Sequence, residues 1–143
     1  MTKKTKKTRT KDKQLALDVA QIASERNCTD ITVMDLTGVS PATNYFVIAT
    51  GTSARQARTV ADEMSVEAKK QGHKRFGIAG YDKGEWILLD FVSVVVHIFS
   101  PEQREYYNLE MLWGDAPRVR LETSGPRDRA GREQTKERVL YSP

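Results

Sequence analysis

Apolar positions in the first third of the chain change from a helical to a strand period. A first helix ending near Arg26 is predicted by apolar residues that recur on one helix face: Leu15, Val19, Ile22 and Ala23. Two β-rich runs follow at residues 31–35 and 45–50, separated by small polar residues and Pro41. Because both runs are densely apolar, we expect both strands to lie in the interior of a sheet.

The next part of the pattern predicts a second helix, three short strands and a third helix. Ser53 can cap a helix that Gly72 ends, with apolar residues at helical spacing: Ala57, Val60, Ala61, Met64 and Ala68. Strands are predicted near residues 76–78, 86–90 and 94–99, and together they indicate an antiparallel meander. Ser100 begins a third helix that runs to about Trp113. A helix between strands combined with tight hairpins predicts a mixed sheet in an α/β fold.

Charge divides the 143 residues into three parts. Residues 1–13 carry seven basic side chains and one acidic, and residues 118–143 carry seven basic and four acidic. Both ends have little to bury, so we predict that both are disordered. The nine basic and fourteen acidic side chains that remain give the predicted domain, residues 14–117, a net charge of about −5. An acidic domain suits a basic protein partner better than naked phosphate.

Composition excludes several other classes of protein. The apolar runs are too short to span a membrane, and the first 14 residues lack the features of a signal peptide, so we expect a cytoplasmic protein. Cys28 is the only cysteine, which excludes an internal disulfide and any multi-cysteine metal site. We interpret it as inert, and no cofactor or metal is expected.

Two features could serve nucleotide chemistry. The loop at residues 50–53 precedes a helix and could cradle phosphate, although a structural turn with a serine cap is favoured because the spacing of a P-loop is missing. Asp35 and Asp90 lie at strand ends and could converge on catalytic metal ions. Neither belongs to an Asp-x-Asp pair, and strand-end aspartates commonly cap turns. A nucleotide-binding or nucleotidyl-transferring enzyme therefore stays as the alternative hypothesis.

The histidines and the third helix complete the candidate residues. His97 alternates with Val96 and Ile98, which favours a half-buried, hydrogen-bonded role over catalysis, and His73 is expected to be exposed. On the third helix, two apolar faces are predicted, one with Tyr106, Leu109 and Trp113 and one with Tyr107 and Met111 beside Leu112. One face can pack on the sheet, and the other is a candidate protein-binding or dimer surface unless the tail covers it.

Five motifs in order resemble those of one family. They are Asp35 before a loop, YFVIATGTSARQ at residues 45–56, GEWILLD at 84–90, VVVHIF at 94–99 and REYYNLEMLWGD at 104–115. Over residues 14–116 the chain resembles the ribosomal silencing factor family, also called the Iojap family. The sequence departs from the family pattern at Val92 and Ser93, where a Gly-Asp pair is usual, and at Asn44, where an acidic residue is common.

The resemblance implies a mixed five-stranded sheet flanked by helices, similar to a nucleotidyltransferase fold without its catalytic site, in a homodimer. It implies binding to large-subunit ribosomal protein fourteen, which blocks joining of the small subunit and represses translation without catalysis. The basic ends are candidates for contacts with ribosomal RNA. By matching motifs, the resemblance assigns partner binding to seven residues: Trp86, Asp90, Arg104, Tyr107, Glu110, Leu112 and Trp113.

Overall fold

The fold is that of a computed structural model, which describes residues 6–74, 77–108, 114 and 116–119, with side chains from residue 11 onward. The helices are α1 (Lys6–Glu25), α2 (Ala54–Lys70) and α3 (Pro101–Tyr106). The strands are β1 (Thr29–Asp35), β2 (Tyr45–Thr50), β3 (Gly77–Ala79), β4 (Trp86–Asp90) and β5 (Val94–Phe99). Within these ranges, no helix is both long and apolar enough to cross a membrane.

The strands form one mixed sheet in the order β1-β2-β5-β4-β3. β2 and β5 pair in parallel, and every other neighbouring pair is antiparallel, which confirms the predicted α/β class and the five-stranded mixed sheet. The pairing of β2 with β5 joins two distant segments of the chain. It places β5 in the middle of the sheet, between β2 and β4.

The expectation that β1 lies in the sheet interior is wrong, because β1 is an edge strand. The chain returns to cover this edge near its C-terminal part. The Asp35 N–H donates to the Pro117 carbonyl (2.8 Å), and the Val119 N–H donates to the Val33 carbonyl (2.8 Å). Residues 118 and 119 therefore belong to the folded body, although the predicted domain ended at residue 117; the tail from residue 120 lies outside the described residues. Main-chain pairing of this kind protects an edge that would otherwise be open to other strands.

Helices α1 and α2 cover one face of the sheet and enclose the main core. Fully buried side chains from both helices meet the inward residues of the central strands: Leu15, Val19, Val60, Met64, Val47, Val96 and Ile98. A smaller cluster on the opposite face contains Met34, Leu36, Ile48, Phe99 and Ala116. This opposite face has no long helix above it among the described residues, so it is the less covered side of the sheet.

The helix α1 begins at Lys6, so the disorder predicted for residues 1–13 is wrong from residue 6 onward; residues 1–5 are not described. Asp12 explains the extra turns, because the residue is 3% exposed and its carboxylate is hydrogen-bonded to the residues just before β2 and β5. Its oxygens accept from Asn44 Nδ2 (2.8 Å) and Ser93 Oγ (2.9 Å). Asn44 and Ser93 are also the departures from the family pattern, where a second acidic side chain would repel Asp12.

The helix α3 starts as predicted, with Ser100 Oγ accepting from the Gln103 N–H (3.2 Å) and proline in the first turn. Its predicted extension to Trp113 is wrong, because the helix ends at Tyr106 and Tyr107 has left helical geometry (φ −102°, ψ 38°). None of the side chains of α3 is buried. A short helix without buried contacts gains little from each added turn, which explains its early end.

Val92 in the turn between β4 and β5 has φ 74°, a conformation that is costly for a β-branched residue. Its side chain is 56% exposed, so packing does not compensate for that strain. We therefore expect Val92→Gly to raise the free energy of unfolding by about 1 kcal/mol, measured by urea denaturation. Val39→Gly is the control, since Val39 is 49% exposed in another loop but lacks a positive φ. A Val92→Gly protein no more stable than wild type would contradict this interpretation.

Candidate partner-binding surface

Five aromatic side chains form a cluster on the sheet face opposite α1 and α2. We call it the aromatic surface, and it consists of Phe46, Trp86, His97, Phe99 and Tyr107. The Trp86 ring lies 4.9 Å from that of Phe99 and 4.5 Å from that of Tyr107, measured between centroids. Phe46 and His97 lie 4.9 Å apart. Strands β2, β5 and β4 bring these rings together, and Tyr107 approaches from the end of α3.

Part of this surface is accessible to a partner. Tyr107 is 39% exposed and Tyr106, which meets it edge-on at 4.8 Å, is 79% exposed. Trp86 is half-buried, and Leu88 and Asp90 continue from it along the same face of β4, also half-buried. Large rings that are packed on one side and open on the other are typical of residues that anchor a protein interface.

Arg104 lies over the same face of the sheet, where it contacts two threonine hydroxyls. Its Nη1 donates to Thr50 Oγ1 (2.9 Å), and its Nη2 lies 3.5 Å from Thr32 Oγ1. These contacts connect α3 to β2 and β1. Arg104 therefore supports the position of α3 on the sheet.

Asp90 is separated from the aromatic surface along β4. Four residues of strand place it about 13 Å from Trp86. Its Oδ1 accepts from the Val92 N–H (2.8 Å), so the carboxylate holds the turn after β4. The structure thus brings Trp86 and Tyr107 into contact, places Arg104 over β2 and β1 on the same face, and keeps Asp90 apart.

Three other predicted residues, Glu110, Leu112 and Trp113, lie outside the described residues and stay predictions. Sequence reasoning did not group Phe46, His97 and Phe99 with Trp86. The predicted meander made β4 and β5 neighbours but did not give the register that sets His97 and Phe99 near Trp86, and alternation within β2 does not reveal that β2 pairs with β5.

The two histidines differ in their surroundings. His97 is 5% exposed and its Nδ1 accepts from Trp86 Nε1–H (3.0 Å), so it is hydrogen-bonded as predicted but more deeply buried than expected. Burial lowers the pKa of His97 to about 4, which keeps the imidazole neutral. His73 is partly buried rather than exposed. Burial lowers its pKa, although the Asp12 carboxylate acts in the opposite direction.

The loop at residues 50–53 is a structural cap, as favoured from the sequence. Ser53 Oγ accepts from the Gln56 N–H (3.0 Å), and Gln56 Oε1 accepts from the Thr52 N–H (2.8 Å), which is a reciprocal capping arrangement. The Gly51 N–H donates to the Phe99 carbonyl (2.7 Å). The main-chain donors of Gly51, Thr52 and Gln56 are therefore already used by the chain and are not available to a phosphate, which weakens the nucleotide-binding alternative.

The two strand-end aspartates do not converge. β1 and β4 are separated by β2 and β5, so Asp35 and Asp90 stand about three strand spacings, or about 14 Å, apart. Asp35 Oδ1 accepts from the Thr37 N–H (2.9 Å), so this carboxylate caps a turn just as Asp90 does. Among the described residues, no group of three His, Cys, Asp or Glu side chains is placed to hold a metal ion.

Cys28 is 7% exposed, and burial raises the pKa of its thiol from 9.0 to about 11, against a smaller opposing effect of a hydrogen bond with Gln56. Since the thiolate is the reactive form, we expect iodoacetamide at pH 8 to label the folded protein at least about 100-fold more slowly than the urea-unfolded chain. The raised pKa stabilises the fold below pH 9, and this contribution should be lost as pH rises toward 11. Equal labelling rates would show that Cys28 is accessible and reactive.

The fold and the surface together define a class of protein: a small α/β domain with helices on one sheet face and a partly exposed aromatic cluster on the other. The model of the family described as ribosomal silencing factor during starvation matches residues 9–142. The chain belongs to this ribosomal silencing factor family. The match takes in residues 9–13 of the first basic end and nearly all of the second, both of which the motifs over residues 14–116 had left outside.

Relatives support the same assignment over most of their length. The chain is 37% identical to ribosomal silencing factor RsfS of Halalkalibacterium halodurans, over 76% of this chain and 91% of that protein. It is 38% identical to ribosomal silencing factor RsfS of Bacillus subtilis, over 72% of this chain and 87% of that protein. The crystal structure of a Chromobacterium violaceum protein, 32% identical, superposes with a TM-score of 0.66 over 73% of this chain and 85% of the other.

Proposed function

We propose that this chain binds the large ribosomal subunit through large-subunit ribosomal protein fourteen and thereby prevents the small subunit from joining, which represses translation. The observation that carries the proposal is the aromatic surface, with Trp86 half-buried between Phe99 and Tyr107. Family membership supplies the ribosome as the partner. The proposal extends to the cytoplasm as the place of action and to a homodimer off the ribosome.

The chemistry of the domain supports a basic protein as the partner. Residues 14–117 carry a net charge of about −5, so a basic ribosomal protein would be attracted from a distance. At contact, Trp86 and Tyr107 offer broad apolar area from side chains that lose little conformational freedom. The basic ends would then add contacts with ribosomal RNA, whose strength falls as salt rises.

The proposed action is steric and requires no reaction. A folded domain on the intersubunit face occupies space that the small subunit needs. No bond is made or broken in this step, so neither a cofactor nor a catalytic residue has a part in it.

Sedimentation of purified ribosomal subunits tests this proposal. Large subunits incubated with saturating protein and then mixed with small subunits should give little 70S particle on a sucrose gradient. Preincubation with small subunits alone, followed by removal of unbound protein, is the control and should leave 70S formation intact. Cross-linking should recover ribosomal protein fourteen. Unchanged 70S formation after saturation of the large subunit would overturn the proposal.

A further inference from the structure

We propose that His97 is a positioning residue of the aromatic surface: its neutral imidazole, with the proton on Nε2, fixes the orientation of the Trp86 indole for binding to the large subunit. This inference rests on the proposed function, because it concerns the same surface. It assigns to His97 a task that packing alone does not explain.

The tautomer follows from the chemistry of the hydrogen bond. An indole nitrogen can only donate, so His97 Nδ1, 3.0 Å from Trp86 Nε1, must be the acceptor. A neutral imidazole that accepts at Nδ1 carries its proton on Nε2. Burial keeps the ring neutral, with the pKa lowered to about 4, so the acceptor persists at physiological pH.

The sheet register makes this bond a diagonal link between strands. His97 stands directly opposite Leu88, and Trp86 stands opposite Phe99. His97 and Trp86 are therefore diagonal neighbours, a separation that long aromatic side chains can bridge. Because β5 lies between β2 and β4, the imidazole is fixed within the most enclosed part of the sheet.

Ring packing limits the movement of both partners. The His97 ring lies 4.9 Å from Phe46 and is stacked on Phe99 at 5.9 Å, while the other neighbours of Trp86 are Phe99 and Tyr107. The indole is thus held before any partner arrives. A side chain ordered in advance loses less entropy on binding, which strengthens the complex.

The buried Nε2 of His97 makes histidine less stabilising at this position than an apolar side chain would be. This nitrogen has no hydrogen-bond partner in the part of the chain that the structure describes. A buried donor without a partner is destabilising, and leucine at this position would avoid that cost. The hydrogen bond that Nδ1 accepts from Trp86 offsets this cost, and leucine could not accept it.

A pair of variants separates positioning from packing. His97→Asn keeps an acceptor near the position of Nδ1, whereas His97→Leu removes it and keeps an apolar side chain. The indole N–H signal of Trp86 is followed by ¹⁵N NMR and is assigned by comparison with Trp113→Phe. We expect His97→Leu to shift this signal and speed its exchange with solvent, and His97→Asn to restore both toward wild type.

Binding to purified large subunits provides the second readout. His97→Leu and Trp86→Phe should each weaken binding about tenfold, and the double variant should be little weaker than either single variant, because both remove the same bond. His97→Asn should bind within about threefold of wild type. Thermal unfolding of each variant by circular dichroism verifies the fold.

Each result decides a separate question. Wild-type affinity in a folded His97→Leu protein, or an unchanged indole signal, would overturn the positioning role. If His97→Leu does not fold, His97→Phe, which keeps a ring but has no acceptor, takes its place, and an unchanged indole signal in that variant would overturn the role instead. Failure of the wild-type protein to bind large subunits would refute the proposed function, and with it the role of His97 in binding, while the indole signal would still report the link between the two side chains.

Discussion

Replacing Trp86 by alanine is expected to weaken binding to the large ribosomal subunit by about 100-fold. The indole packs on Phe99 and Tyr107 and is half-buried, so part of it is open to a partner. Truncation of a central aromatic residue in an interface costs about 2–4 kcal/mol, and every 1.4 kcal/mol is about tenfold in affinity. Co-sedimentation of the variant with purified large subunits over a range of protein concentrations measures this loss.

Two further variants make this result specific. Val66→Ala is the matched control, because Val66 is 61% exposed on α2, on the helix-covered side of the sheet, and its loss should leave affinity unchanged. Trp86→Phe keeps a ring and should fall between wild type and alanine. A folded Trp86→Ala protein that binds within about threefold of wild type would show that the aromatic surface is not the binding site.

Alanine at Gly80 is expected to lower the free energy of unfolding by about 3 kcal/mol or more. A Cβ on Gly80 would lie 2.0 Å from the Trp86 carbonyl oxygen, and φ at this residue is +76°. The main chain of β4 cannot move away without disturbing its pairing with β5. Urea denaturation followed by circular dichroism gives the free energy directly.

Variants of two other glycines distinguish the backbone strain of a positive φ from the steric clash of an added Cβ. Gly38→Ala adds a methyl group in open space at ordinary φ and should change stability by no more than about 0.5 kcal/mol. Gly72→Ala has room, with Lys11 Nζ 3.9 Å away, but its φ is +89°, so about 1–2 kcal/mol of strain is expected. Equal losses at Gly72 and Gly80 would mean that the chain near Trp86 relaxes to relieve the collision.

The buried carboxylate of Asp12 gives a physical reason for the departures from the family pattern. Asn44 donates to it and Ser93 donates to it, at 2.8 and 2.9 Å. An acidic residue at either position would face a carboxylate that is 3% exposed. Asn44 and Ser93 therefore fit the buried Asp12 that α1 carries. This relation is not visible from any one of the three positions alone.

Secondary structure was predictable wherever the local pattern was strong. Helix α2 and the strands β2, β4 and β5 have the expected locations. The signals that predict them, which are the spacing of apolar residues, the Ser53 cap and the turn residues, depend only on residues close in sequence. The ends of helices were less predictable. Lys6 begins α1 because Asp12 is held by distant residues, and Tyr106 ends α3 where its side chains find no burial.

By itself, the sequence determined the α/β class, the acidic middle of the chain and its family resemblance, since these depend on composition, local period and ordered motifs. It also singled out Trp86 and Tyr107. Only the tertiary structure placed Phe46 beside His97, because that contact depends on the parallel pairing of β2 with β5. β2 and β5 are distant in sequence and meet only when the whole sheet packs. The local pattern of apolar residues in β2 therefore does not show that β5 becomes its neighbour.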